Sequence, residues 1–571
     1  MKLLARYLHP YKEFIAVSMF LKAIGTVAEL IIPYISAHII DDIVPTQSVK
    51  RIVLWGFGMI LCAAAALAFN AVANCMVSRT SRNFTRQLRH DLFESTMNLS
   101  CREADRLTVP SLESRLTSDT YNLHQMVGTI QRLGIRAPLL LIGGIAITLV
   151  LDHTLSLVMI TTLPFITVVV LFITKKGVPL YSGVQKKVDD MTRIVREDAQ
   201  GIRVIKALSK KDHERARFDV ANHALADMEK RADITMGLSR PVMQLFLNLG
   251  LVGVVLVGAF RVNDGLTQPG KIIAFLQYFT LISNAMLTLT RIFVIYSKGL
   301  ASSKRVEKVL DAKSELTIRP ESKKRKEPYI RFDNVSFSYF DGKPILHDFD
   351  FSLEKGQTLG IIGATGSGKS TVIKLLMRFY DVTTGSIRID GRDIREISDA
   401  ELHKHFGVAL QNDFFGATTV RENIDFGRNL PEKEIRKAAE RAQASEFINT
   451  FPEGYDHEIS AKGTNISGGQ KQRLLIARAL AKDPDILILD DSSSALDYKT
   501  DLLLRRAIAE ENQNTTVILI AQRVSTVMNS DLILVLDEGR IIGAGKHDEL
   551  LAGCGIYREI SESQMGGAIL E

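Results

Sequence analysis

Leu359-Gly360-Ile361-Ile362, then Gly363-Ala364-Thr365-Gly366-Ser367-Gly368-Lys369-Ser370, then Thr371-Val372-Ile373-Lys374-Leu375-Leu376 reads as an apolar strand, a glycine-rich loop and a helix with an apolar face at Val372, Ile373, Leu375 and Leu376. That order is the setting a phosphate-binding loop requires. Glycines let backbone N–H groups close on phosphate oxygens, and the helix N-terminus adds positive potential. Lys369 is placed for the terminal phosphates and the Ser370 hydroxyl for magnesium. The whole run from Gly363 to Thr371 is therefore expected to bind nucleotide, and a chance glycine-rich turn does not account for the full motif in this context. Downstream, the apolar run Ile486-Leu487-Ile488-Leu489 ends in Asp490, as a buried strand delivering a carboxylate to the magnesium edge of such a site would. ATP with Mg2+ is the expected ligand.

Toward the amino terminus the character changes. The 571 residues are 46% hydrophobic yet 24% charged, a mixture that points to two dissimilar halves and excludes disorder. Six apolar stretches fall near 14–40, 52–76, 128–150, 155–173, 242–260 and 272–297, each close to the roughly 20 residues that cross a bilayer core. The loops expected outside hold only Lys50, Arg51, Arg261 and Lys271, while the other side carries Arg79, Arg82, Arg86, Arg89, Lys175, Lys176, Lys186 and Lys187. Both termini are thus expected in the cytoplasm, and the net charge of +7 reads as this asymmetry rather than as affinity for nucleic acid. The run Lys323-Lys324-Arg325-Lys326 lies in a polar linker and reads as solvated or close to anionic lipid, with no nucleic-acid partner expected. Cys62, Cys75, Cys101 and Cys554 have neither paired nor metal-ligand spacing, which excludes a disulfide scaffold.

Met1 to Tyr11 puts Leu3, Leu4, Tyr7, Leu8 and Tyr11 on one stripe, as an interfacial helix would. A secretory signal peptide fits poorly, because the following apolar region is long and interrupted by Lys22 and Glu29. From Val77 to Ser100, and again from Ser182 to Arg240, long polar helices are expected to project from the bilayer, turning near Arg102–Ser114 and Glu197–Leu208. Those turns could press on a cytosolic domain or simply close solvated hairpins. Lys22 and Glu29 are two helical turns apart, and each is costly in lipid, so both should face protein or a hydrated cavity. Asn70, Asn74, Gln244, Asn248, Gln277, Asn284 and Arg291 are further polar positions in the spans; singly each suits interhelical hydrogen bonding, and together they allow a hydrated path.

Asn465-Ile466-Ser467-Gly468-Gly469-Gln470, followed by Lys471-Gln472-Arg473 and placed between the phosphate loop and Asp490, closely resembles the signature of the ATP-binding cassette (ABC) family. The resemblance covers essentially the whole chain and implies a half-transporter of the exporter type. Its fold would be an all-α six-helix membrane domain (1–310), a linker (311–328) and an α/β nucleotide-binding domain (329–571). It implies that Tyr339 stacks on adenine, that Ser370, Gln411 and Asp490 hold magnesium, that Ser467, Gly468, Gly469 and Gln470 contact nucleotide, and that Ser494-Ala495-Leu496-Asp497 is the D-loop. The turning segments then resemble coupling helices.

The departures matter as much. After the Asp490 position the family's competent site has a glutamate base, and on a later strand end a histidine; here stand Asp491 and Gln522. Asp is one methylene shorter, a misplacement of about 1 Å can cost on the order of a hundredfold, and Gln does not titrate. The stretch Ile459–Gly463 also lacks the acidic-basic pair usual in exporters. Asp491 and Gln522 are accordingly the expected catalytic pair of a weakly hydrolytic site. In this family two cassettes sandwich two nucleotides, each between one chain's phosphate loop and the other chain's signature. The resemblance therefore implies one half of a heterodimeric multidrug-type exporter in a bacterial cytoplasmic membrane, paired with a second half-transporter and acting on a hydrophobic or amphipathic small molecule. A homodimeric exporter, an exporter-fold importer resembling siderophore uptake systems, and a nucleotide-gated regulatory subunit are the alternatives. Six spans exclude a soluble repair ATPase.

Overall fold

The computed structural model describes all residues except Met1, 313–315, 317, 321–325, 341, 412–413, 493–494, 512–513 and 566–571; Lys323, Lys324 and Arg325 of the basic run and Ser494 of the D-loop lie outside the described residues. Two compact units are present, Met1–Met97 with Val109–Ala312, and Asn98–Thr108 with Lys313–Glu571.

The first unit is helical. Among the described residues, five helical runs are long and apolar enough to cross a membrane: Leu3–Thr46, Val49–Met97, Val109–Leu151, Lys211–Asn263 and Pro269–Leu310. The sixth expected span, 155–173, falls on the apolar start, His153–Val169, of the continuous helix His153–Ala207. Val49–Met97 is unbroken, as the absence of Gly and Pro beyond Val77 led one to expect. The second projecting hairpin turns later than expected: the helix passes through 197–207, and the chain reverses at Leu208–Lys210 before Lys211–Gly237. Apolar side chains on the 49–97 helix, such as Val53, Leu54, Phe57 and Ile60, are exposed, as lipid-facing residues would be.

Polar contacts tie the helix ends. The Asp41 carboxylate accepts from the N–H groups of Gly270 and Lys271 at 2.6 and 2.9 Å, capping Pro269–Leu310. Gly270 must lack a side chain there, because a Cβ would stand 2.7 Å from the Ala37 carbonyl oxygen. At the same end Arg261 donates to Asp152 at 3.4 Å. The buried Tyr278 hydroxyl donates to the Leu30 carbonyl at 2.6 Å, joining the first and last long helices.

The second unit has ten described strands: β1 (Ile330–Phe337), β2 (Leu346–Leu353), β3 (Thr358–Gly363), β4 (Thr384–Ile389), β5 (Arg392–Asp393), β6 (Phe406–Ala409), β7 (Ile486–Asp490), β8 (Thr516–Ile520), β9 (Leu532–Asp537) and β10 (Arg540–Gly545). One sheet is antiparallel in the order β2-β1-β4-β5; the other runs β10-β9-β3-β8-β7-β6, parallel from β9 to β6 with β10 antiparallel at its edge. β7 is buried at every position and β3 at all but its first, the continuous apolar pattern of strands covered on both faces. Half-buried β1 alternates instead and packs Phe332 against Phe349 and Phe351.

Candidate functional site

Parallel pairing sends β3, β7 and β8 in one direction, so the residues that follow them emerge along a single edge, the place where open α/β sheets bind ligands. Gly363 ends β3, Asp490 ends β7, and Gln522 follows β8. The Asp491 N–H donates to the Ile520 carbonyl at 2.9 Å, locking the ends of β7 and β8 together.

The loop 363–368 is shaped by close approach. A Cβ at Gly363 would lie 2.2 Å from the Leu536 carbonyl oxygen, whereas Gly366, at φ +87°, has no atom within 4 Å of its missing Cβ. One side of the loop is thus jammed against β9 and the other is open, as phosphate approach needs. Ser367 is 3% exposed, and among the described residues its hydroxyl has no partner. Lys369 Nζ donates to the carbonyls of Gly363 and Ala364, both at 2.8 Å, and Ser370 Oγ donates to Asp490 Oδ2 at 3.1 Å. Burial lowers the Lys369 ammonium below its ordinary pKa despite the carboxylates of Asp490 and Asp491. Burial also raises both carboxyls above theirs. A desolvated lysine beside two desolvated acids, a Ser–Asp pair and an orphaned buried hydroxyl fit a magnesium polyphosphate, which would replace these makeshift contacts with strong ones.

Asp491 is the centre of a polar knot. Gln411 Nε2 and Gln522 Nε2 both donate to its Oδ2 at 3.3 Å, and Gln472 Nε2 donates to its carbonyl at 3.4 Å. Its backbone is left-handed, φ +51°, a region Asp enters more readily than most residues. Gln472 also accepts the Ala495 N–H at 3.0 Å, so one side chain joins the strand end to the D-loop. Nothing in the spacing of Gln472 singles it out; only its place one turn after the signature does.

Ser467 and Gln470 form a capping box at the start of the helix Gly468–Leu480, with Ser467 N donating to Gln470 Oε1 at 2.9 Å and Gln470 N to Ser467 Oγ at 3.3 Å. Ser467, Gly468 and Ala495 are exposed, and a Cβ on Gly468 would touch the Ala495 Cβ at 3.5 Å. The signature and D-loop therefore share one solvent-facing surface.

Tyr339 joins an aromatic cluster. Its ring meets Phe337 and Tyr380 edge-on at 4.9 and 5.0 Å, and its hydroxyl lies 3.2 Å from Thr371 Oγ1. The Tyr380 hydroxyl donates to Asp105, on the short helix Cys101–Leu107 between two membrane helices. Burial, reinforced by Asp105, raises the Tyr380 phenol above its ordinary pKa. Sequence reasoning singled out 102–114 as a contact segment but not Tyr380, which carries no motif.

Residues 15–286 match the ABC transporter transmembrane region and 346–494 the ABC transporter family. The ABC transporter ATP-binding protein YfiB of Bacillus subtilis is 33% identical over 98% of both chains, and exp8 of Streptococcus pneumoniae is 33% identical over 99% of this chain and 97% of its own. This chain belongs to the ABC transporter family. Its structure is similar to that of a bacterial Atm1-family ABC exporter solved with ATP bound, with a TM-score of 0.82 and 26% identity over 97% of this chain and 98% of that one. This ABC transporter is thus a multi-pass membrane protein of exporter architecture, a helical membrane domain followed by an α/β cassette whose family couples ATP hydrolysis to transport.

Within the membrane unit of this ABC transporter, Lys22 is 4% exposed and donates to Asn74 Oδ1 at 3.0 Å, so it faces protein. Glu29 meets Arg136, which donates to both its carboxylate oxygens at 2.8 and 3.0 Å. Arg136 was missed in the sequence, although a charge inside an apolar span is the same signal that singled out Lys22 and Glu29.

Proposed function

We propose that this chain is one half of a heterodimeric exporter of amphipathic or hydrophobic small molecules in a bacterial cytoplasmic membrane, both termini cytoplasmic, and that its own site binds ATP more readily than it hydrolyses it. The observation that carries this is Asp491: a carboxylate one methylene short of the family's base, held through one oxygen by Gln411 and Gln522. Two amides hold that oxygen in place, but neither takes up a proton, so the site lacks the acid–base partner that a histidine would supply. Bound magnesium nucleotide would supply the phosphoryl group and the cation that offsets its charge. In this reading Tyr339 stacks on adenine and 363–371 wraps the phosphates. Ser370, Gln411 and Asp490 hold the metal, while Ser467, Gly468, Gly469 and Gln470 complete the partner's site. The exposure of the signature and Ala495 supports the last role, because that surface is open to a second cassette. The working domain limits are 1–310, 311–328 and 329–571.

The burial-raised pKa of Asp491 favours a second reading, a homodimeric exporter with an unusual Asp base. Purification from the native membrane separates the two. A second cassette chain should copurify, and this chain alone should hydrolyse ATP far more slowly than the pair. Full turnover by this chain alone would establish the homodimer.

A further inference from the structure

The six apolar stretches contain four basic residues, Lys22, Arg132, Arg136 and Arg291, against one acid, Glu29. Along helices that end at His38 and Leu151 or begin at Pro269, Lys22, Arg136 and Arg291 lie roughly 22 to 33 Å from the end tied by Asp41 and Asp152, in the opposite half of the bilayer, and Arg132 stands in the last turn of the helix just before Arg136. Three of them are drawn together: Arg136 sits on Glu29, which lies two turns from Lys22 on the same helix, and Arg132 is four residues before Arg136 in the chain. Glu29 is ion-paired with Arg136; Lys22 donates to the Asn74 amide oxygen and Arg132 Nε to the Gly128 carbonyl at 3.1 Å, both neutral acceptors. The patch therefore sets three basic groups against one acid where charge is poorly solvated, and an anion is the group that complements them. Beside Glu29 runs a groove of about 540 Å³, lined among others by Pro33, Ile273, Leu276, Gln277 and Leu281, which suits an apolar chain.

We infer that the path is built for an amphiphile with an anionic head, the head held by Lys22, Arg132 and Arg136 and the tail in the groove beside Glu29. This rests on the transporter reading above and names the class of its substrate. Glu29 then acts as a counter-charge that Arg136 leaves when the anion arrives, so the two residues of one ion pair should have opposite effects on binding. A pair that only braces the helices would give effects of the same sign.

The test uses the full-length chain in phosphatidylcholine nanodiscs, with a dansylated twelve-carbon carboxylate and its matched ammonium as probes, each below its micellar range. The carboxylate should bind about tenfold tighter or more, as one favourable charge contact allows. Arg136→Gln should weaken it about tenfold and Glu29→Gln should tighten it. Adding phosphatidylglycerol distinguishes the natural source: competition with the probe marks an acidic lipid, and unchanged binding marks a dissolved amphiphile, either supporting the anion site. Carboxylate binding without ATP-driven flux in proteoliposomes that hold this chain together with its copurified partner supports the site and overturns the export reading. Equal or tighter binding of the ammonium, or loss of carboxylate binding in both variants alike, overturns the inference.

Discussion

At the scale of single residues, the nucleotide edge holds charges under tension. Asp490 is 5% exposed, and burial raises its carboxyl above the ordinary value of 3.8. Because the folded pKa exceeds the unfolded one, ionisation costs stability as pH rises from 3.8 through the raised value. Asp490→Asn should therefore raise the melting temperature of the nucleotide-free chain at neutral pH by a few degrees, at about 2–4 °C per kcal/mol. The gain should vanish as pH falls toward 4, and magnesium nucleotide should no longer stabilise the variant normally. A variant less stable than the parent at pH 7 would show that the Ser370 and Lys369 contacts outweigh desolvation. Asp491 and Gln522 make the catalytic counterpart. If reach and titration are what the site lacks, Asp491→Glu with Gln522→His should raise this site's own ATPase rate, on the order of tenfold to a hundredfold. A steady-state phosphate-release assay checks it, and an unchanged rate would place the defect elsewhere.

At the scale of elements, the helix Cys101–Leu107 belongs to the same compact unit as the cassette although both chain neighbours belong to the membrane unit. Ser100 caps it through Glu103 N at 3.3 Å, Cys101 packs on the cassette core, and Asp105 accepts from Tyr380. Tyr380 in turn stands edge-on to Tyr339, expected at the adenine. Tyr380→Phe keeps the ring contacts and removes one hydrogen bond to a charged acceptor, an interaction typically contributing about 1.5–3 kcal/mol. ATP affinity of the full chain should stay within about twofold, while stimulation of ATPase by transported substrate should fall. A drop in nucleotide affinity with stimulation intact would mean that Tyr380 serves only the base pocket.

At the scale of the whole molecule, the two halves of the cassette's chemistry act on different nucleotides if the dimer reading holds. Asp491 serves the chain's own phosphate loop, whereas Ser467 lies on an exposed surface beside Ala495. In a reconstituted pair with its partner, Asp491→Asn should leave most ATPase activity, and Ser467→Arg should abolish most of it. The capping box alone is worth about 1 kcal/mol, so the loss should exceed what Ser467→Ala causes through helix capping. Greater damage from Asp491→Asn would establish the homodimeric alternative.

The amino-acid sequence by itself determined the elements: apolar runs long enough for a bilayer, a strand, glycine loop and helix in the order phosphate needs, and a signature between loop and carboxylate. These are local, set by period, length and backbone freedom, so a linear reading reaches them. Tertiary structure decided which distant residues meet. The strand order β3-β8-β7 brings Gly363, Asp490 and Gln522 to one edge and lets Gln411 and Gln522 share the Asp491 carboxylate. Helix packing sets Arg136 on Glu29, and the return of 98–108 to the cassette sets Asp105 on Tyr380. None of those pairs leaves a mark on local periodicity, because each depends on how elements far apart in the chain are ordered and packed.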